Sequence, residues 1–235
     1  MSCCPTTITA RKSDYVPKTV PFYETGAATS AKVLVFVYDI FGMSPQVRQV
    51  ADLIADATGY RVIIPDFFDG KPWPMEKFPP GEGDDLMGWI KSAGDYSRIR
   101  ALLVPVLERV RAQGAKSVGL VGFCWGARMC MNALQEGLVD AVALCHPSFV
   151  EDKDFEGGIA SLKGGVAILR SKDEAPMQPT KDIFAAANSP KFVVADFDNM
   201  HHGFMGARAD FNDAENVKAV EEGVKIVSNF FAAAL

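Results

Sequence analysis

The chain is 235 residues long, 49% hydrophobic and 23% charged, with a formal net charge of −5. This fits one globular α/β domain over 1–235 with a sizeable core, and the acidic balance, without a Lys/Arg-rich patch, argues against a nucleic-acid partner. No apolar run reaches the roughly 18 residues of a membrane span, and the opening MSCCPTTITARKSDY lacks the apolar core of a secretion signal, so a cytoplasmic protein is the expectation.

Residues 1–30 are polar and turn-rich and read as an N-terminal extension with a short strand around Thr19–Tyr23. Ala31–Asp39 is a near-continuous apolar run, as expected of a strand covered on both faces. Ser44 and Pro45 suit an N-cap and first helical position. The helix they begin carries Val47, Val50, Leu53, Ile54 and Ala57 on one face and stops at Gly59. Tyr60–Pro65 is the next buried strand. This alternation is the signature of a parallel sheet. Residues 66–96 break the rhythm with prolines, glycines and aromatics. They read either as a lid over a site or as a surface excursion with one short helix. Trp73, Phe78 and Trp89 suit an apolar pocket wall there, or a loop pinned down by its own rings.

Ser97–Gln113 has helical spacing and stops at Gly114. Ser117–Phe123 is a strand that runs through Gly122-Phe123-Cys124-Trp125-Gly126 into a helix. With serine at its centre, this G-x-C-x-G would be a nucleophile elbow. Side chains two residues either side of so tight a turn would collide, and glycine removes the collision. The helix N-terminus favours negative charge on the sulfur. The competing reading is a buried core cysteine between two chance glycines. Asp140–His146, Val166–Arg170 and Lys191–Phe197 are further strands, Thr180–Ala187 is a short helix, and Asp213–Leu235 is a closing amphipathic helix.

The five cysteines, Cys3, Cys4, Cys124, Cys130 and Cys145, form no metal-ligand or disulfide spacing and read as reduced thiols. Adjacent Cys3 and Cys4 are candidate acylation sites. The three histidines, two of them adjacent, make no metal set, and no cofactor is called for. Asp173 follows the Val166–Arg170 strand, and His201 and His202 follow Lys191–Phe197. Loops after strand C-termini share one edge of a parallel sheet, so Cys124, Asp173 and these histidines can converge. Their chain order, nucleophile then acid then base, is that of the α/β-hydrolases.

From Ala31 to the closing helix the sequence resembles the dienelactone hydrolase (carboxymethylenebutenolidase-like) family of α/β-hydrolases, most nearly its divergent eukaryotic members. The resemblance rests on Asp39-Ile40-Phe41-Gly42, the cysteine elbow, Asp173 followed by Pro176, and His202-Gly203-Phe204. It implies an α/β-hydrolase fold, a mostly parallel sheet with helices on both faces. It also implies a Cys124–His202–Asp173 triad that cleaves a small ester, lactone or thioester through an acyl-enzyme. The backbone amides of Ile40 and Trp125 would stabilise the oxyanion. Asp39 stands where the family's bacterial enzymes have a glutamate that supports the thiol. Phe41, His201, Phe204 and Arg208 complete the expected pocket residues. Arg208 is displaced from the family's usual arginine, and 66–96 contains no arginine, only Lys71, Lys77 and Lys91, which supply charge but no bidentate fork, so the resemblance implies the hydrolytic apparatus without fixing the dienelactone as substrate. Two alternatives stand beside the hydrolase: a weakly active or inactive binding or stress-response protein on the same scaffold, and a thiol sensor, which lacks a resolving cysteine. Monomer and homodimer both remain open.

Overall fold

The computed structural model describes residues 22–235; Cys3, Cys4 and most of the N-terminal extension lie outside them. Seven strands form one sheet: β1 (Phe22–Gly26), β2 (Lys32–Val37), β3 (Arg61–Pro65), β4 (Ser117–Phe123), β5 (Ala141–Cys145), β6 (Gly165–Ser171) and β7 (Phe192–Phe197). Their order across the sheet is β1-β3-β2-β4-β5-β6-β7. All neighbours are parallel except β1, which runs antiparallel to β3. Of the strand expected near Thr19–Tyr23, residues 19–21 lie outside the described residues, and β1 runs from Phe22 to Gly26.

The central strands are apolar throughout because both faces are covered. At Gly119 a side chain would strike Phe231 of helix α6 (Ala214–Ala234), whereas at Gly122 it would strike Ala127 of helix α4 (Trp125–Glu136). These two positions lie an odd number of residues apart on β4 and point to opposite faces. Helix α1 (Pro45–Thr58) packs beside α6, helix α3 (Tyr96–Ala112) packs on α4, and helix α5 (Gln178–Ala187) packs on β7. Ser44 caps α1, accepting the Val47 N–H at 3.2 Å. Residues 66–96 hold a 3-10 turn (Met75–Lys77) and helix α2 (Leu86–Ala93), whose first turn is capped by Asp85.

The chain winds from β2 outward to β3 in one direction and from β4 outward to β5, β6 and β7 in the other. The loops leaving β2 and β4 therefore part at the reversal, and a crevice opens at the C-terminal ends of those strands. Among the described residues, no helix is long and apolar enough to cross a membrane.

Candidate active site

Cys124 sits between β4 and α4 with φ 54° and ψ −119°, a left-handed conformation disfavoured for any side chain larger than hydrogen. The strain is held by close packing on either side. A Cβ on Gly126 would lie 2.1 Å from the Val37 carbonyl oxygen, and one on Gly122 would lie 2.7 Å from the Ala127 Cα. Both glycines are thus required by approach rather than by φ, as the sequence spacing predicts. Cys124 is half-buried, whereas Cys130 and Cys145 are fully buried and burial pushes both thiols upward.

His202 stands on the loop after β7. Its ring Nδ1 lies 2.6 Å from Glu174 Oε1. The expected partner, Asp173, instead accepts the His202 backbone N–H through Oδ2 at 2.7 Å. The reason is local. Asp173 is exposed, while the longer Glu174 side chain turns inward and is anchored by the Ser171 N–H at 2.5 Å and the Ser171 hydroxyl at 3.1 Å. Arg170 fixes the same turn: it donates to the carbonyls of Ser171 and Glu174 while pairing with Asp196 at 2.8 Å and Asp198 at 2.9 Å.

Burial opposes charge on His202, but hydrogen bonds from the ring to the Cys124 thiol and the Glu174 carboxylate, with the charges of both, outweigh it and raise the pKa to about 10. The ring therefore holds its proton at neutral pH, as the imidazolium. His146 packs edge-to-face 5.1 Å behind the His202 ring. It is wholly buried, and burial holds it well below the ordinary histidine range, so it is neutral. His201 turns aside, its Nδ1 2.9 Å from the His202 carbonyl oxygen.

Asp39 is buried at the end of β2, where its oxygens accept the N–H groups of Phe41 at 2.9 Å and Ala207 at 2.8 Å. Burial, only partly offset by those two bonds, raises its pKa to about 6. It thus ties the loop after β2 to the loop carrying His202. The N–H groups of Ile40 and Trp125 are engaged by no acceptor among the described residues.

A cavity of about 310 Å³ opens over Cys124. Phe41, Phe78 and Arg208 line it as expected, while Trp73, Trp89, His201 and Phe204 do not. Trp73 and Trp89 pack on each other at 5.9 Å, and Phe204 is buried on Phe197 at 4.8 Å. They stabilise the loops instead. The walls that sequence reasoning missed are Leu86, Met87 and Ile90 of α2 and Ser148 and Phe149 after β5. Ser148 has a direct tie to the nucleophile. Its Oγ is 3.4 Å from Cys124 Sγ, and its N–H donates to the Cys124 carbonyl at 3.0 Å. Arg208 donates to the His202 carbonyl at 2.7 Å and lies over the Phe78 ring, 5.3 Å from its centroid.

The dienelactone hydrolase family pattern matches residues 20–235. An AIM2 family protein of Schizosaccharomyces pombe is 33% identical over 255 residues, covering 98% of each chain. The carboxymethylenebutenolidase homolog of Homo sapiens is 26% identical over 185 residues, covering 75% of this chain and 71% of the relative. Among solved structures, a dienelactone hydrolase from Anabaena variabilis shares the fold, with a TM-score of 0.61 and 14% identity over 92% of each chain. The chain belongs to the dienelactone hydrolase family and is a hydrolase of that type.

Proposed function

We propose that the protein cleaves a small ester, lactone or thioester with Cys124 as nucleophile, His202 as base and acid, and Glu174 as the carboxylate that orients the imidazole. The observation that carries this reading is the convergence, at one cavity, of a strained half-buried thiol and a histidine whose ring is hydrogen-bonded to a carboxylate largely out of solvent. Asp173, the acid the sequence favours, is assigned the hold on the His202 backbone.

His202 enters the reaction already holding the proton taken from the Cys124 thiol, and the sulfur attacks the carbonyl carbon. A C–S bond forms as the carbonyl pair moves to oxygen. The N–H groups of Ile40 and Trp125 receive that oxyanion, and a donor of this kind is worth roughly 3–4 kcal/mol of barrier. The C–O (or C–S) bond to the leaving group then breaks, and His202 returns the proton to the departing oxygen or sulfur. Water, deprotonated by His202, attacks the thioester in turn and releases the carboxylic acid and the thiol. Glu174 stabilises the imidazolium in both halves and keeps its own proton state.

The test is turnover of p-nitrophenyl acetate and butyrate, a dienelactone and a simple thioester by wild type, Cys124→Ala and His202→Ala. Both variants should lose at least about 10³-fold of kcat/KM. Equal rates in wild type and variants would leave a binding protein on a hydrolase scaffold.

A further inference from the structure

We propose that the natural substrate is an ester with an extended apolar acyl chain and a polar, non-anionic alcohol, the two halves lying in separate cavities that meet at His202. This rests on the hydrolase reading above and assigns the substrate that the reading leaves open.

The cavity over Cys124 is walled by Phe41, Phe78, Leu86, Met87, Ile90 and Phe149. A second cavity of about 300 Å³ adjoins it, sharing the walls Ser148, Phe149, Asp173 and His202 and adding Glu174 and Ala175. Cys124 faces only the first cavity, whereas His202 faces both. The reaction itself then assigns the halves. The acyl group stays bonded to sulfur and must occupy the apolar cavity, while the leaving group receives its proton from His202 and must depart on the second side. That second side sets two carboxylates, Asp173 (shared with the first cavity) and Glu174, against the single positive charge of His202, with no lysine or arginine among its walls, so an anionic leaving group is disfavoured there. In the first cavity the one cation among the walls, Arg208, donates one N–H to the His202 carbonyl and stacks on Phe78, so the rest of that wall toward α2 and Phe149 is apolar.

The apolar walls continue past the mouth. Phe78, Met87 and Phe149 are 36%, 51% and 49% exposed, and with Met75 they are the exposed large hydrophobic side chains among the described residues. They come from three separate segments yet ring one opening. Phe149 is held there against two costs, exposure and a left-handed φ of 62°. Its carbonyl accepts from Arg128 Nε at 2.7 Å, Arg128 is paired with Asp154, and the neighbouring Ser148 N–H is bonded to Cys124. An aromatic ring pinned to the nucleophile's own backbone and left facing solvent fits a chain that runs outward from the sulfur across it.

The experiment compares 1-acetylglycerol, 1-butyrylglycerol, 1-octanoylglycerol and 1-octanoylglycerol 3-phosphate as substrates for wild type, Phe149→Ser, Met87→Ser and Met75→Ser. We expect kcat/KM to rise at least about tenfold from acetyl to octanoyl, each buried methylene being worth up to roughly fourfold. Phe149→Ser and Met87→Ser should each cut the octanoyl-to-acetyl ratio about fivefold or more. Met75→Ser, outside both cavities, should leave it unchanged. The phosphate-bearing ester should be poorer by about tenfold. A flat chain-length series, a ratio unmoved by both rim variants, or equal use of the anionic ester overturns the proposal. So does a dimer seen by sedimentation that the rim variants dissolve without any chain-length effect. If acetyl turnover depends on Cys124 while the octanoyl preference is missing, the hydrolase stands and the substrate assignment falls. If no ester is turned over, calorimetry on Cys124→Ala decides: octanoylglycerol binding tighter than acetylglycerol supports the apolar cavity, and equal binding overturns it.

Discussion

Asp173 and Glu174 are chain neighbours of like charge, and they meet opposite sides of the same histidine. Glu174 reaches the ring and Asp173 the backbone, so their losses should differ in kind. Glu174→Gln removes the charge that raises the His202 pKa and leaves only a neutral amide oxygen to accept the ring N–H. The imidazolium then gives up its proton at lower pH. The alkaline limb of kcat/KM, expected near pH 10 in wild type, should move toward neutrality, and kcat should fall on the order of 10²–10⁴-fold. Asp173→Asn forfeits one charge-assisted bond to an N–H, worth roughly 1.5–3 kcal/mol, without moving that limb. A pH–rate profile of the two variants separates them, and a limb displaced by Asp173→Asn alone would return the role to Asp173. No sequence pattern could have chosen between the two acids. The DEAP stretch places both at the end of β6, and only the reach of one extra methylene and the anchoring Ser171 decide which turns inward. Ser148 and Phe149 were hidden for a related reason, since a loop after β5 carries no motif until its distance from Cys124 is known.

The strand–turn–helix unit that carries Cys124 was, by contrast, written into its spacing. Gly122 and Gly126 declare a steric requirement that holds wherever this turn is built. Gly126→Ala would press a methyl group into the end of β2, and overpacking of this kind costs roughly 1–3 kcal/mol or more. Urea unfolding should show that loss, and the displaced elbow should cost activity beyond it. A variant as stable and active as wild type would mean that α4 can slide away from β2. Central strands were legible because two-sided burial leaves a continuous apolar run, and helix α1 because Ser44-Pro45 and Gly59 mark its ends. Residues 66–96 were not legible. Their aromatics are divided between the cavity, where Phe78 stands, and a Trp73–Trp89 pair that packs on itself, and composition is identical for both uses.

Across the whole molecule, the contact between Asp39 and Ala207 joins loops 168 positions apart. Its charge makes that join sensitive to pH. The folded pKa of Asp39 is about 6, above the roughly 3.9 of an unfolded chain. The native state therefore holds the proton more tightly, and this group's contribution to stability falls as pH rises from about 4 to 6, staying low above that. The loss is on the order of 2–3 kcal/mol. Subtracting the unfolding free energy of Asp39→Asn from that of wild type across pH 4–7 isolates it, and a flat difference would contradict the burial argument. The fold class followed from the alternation of buried strands and amphipathic helices, but this long-range tie could not be read from any local stretch.

The same chain separation sets a timetable. A ribosome releases the β4–α4 elbow, with its cysteine, well before residue 202 exists. The histidine loop is then secured from α6, where Asn216 accepts the Asp210 N–H at 2.5 Å and donates to the Phe204 carbonyl at 2.9 Å. A nascent chain thus carries its nucleophile before its base exists, and the Asn216 bonds that hold the histidine loop await α6.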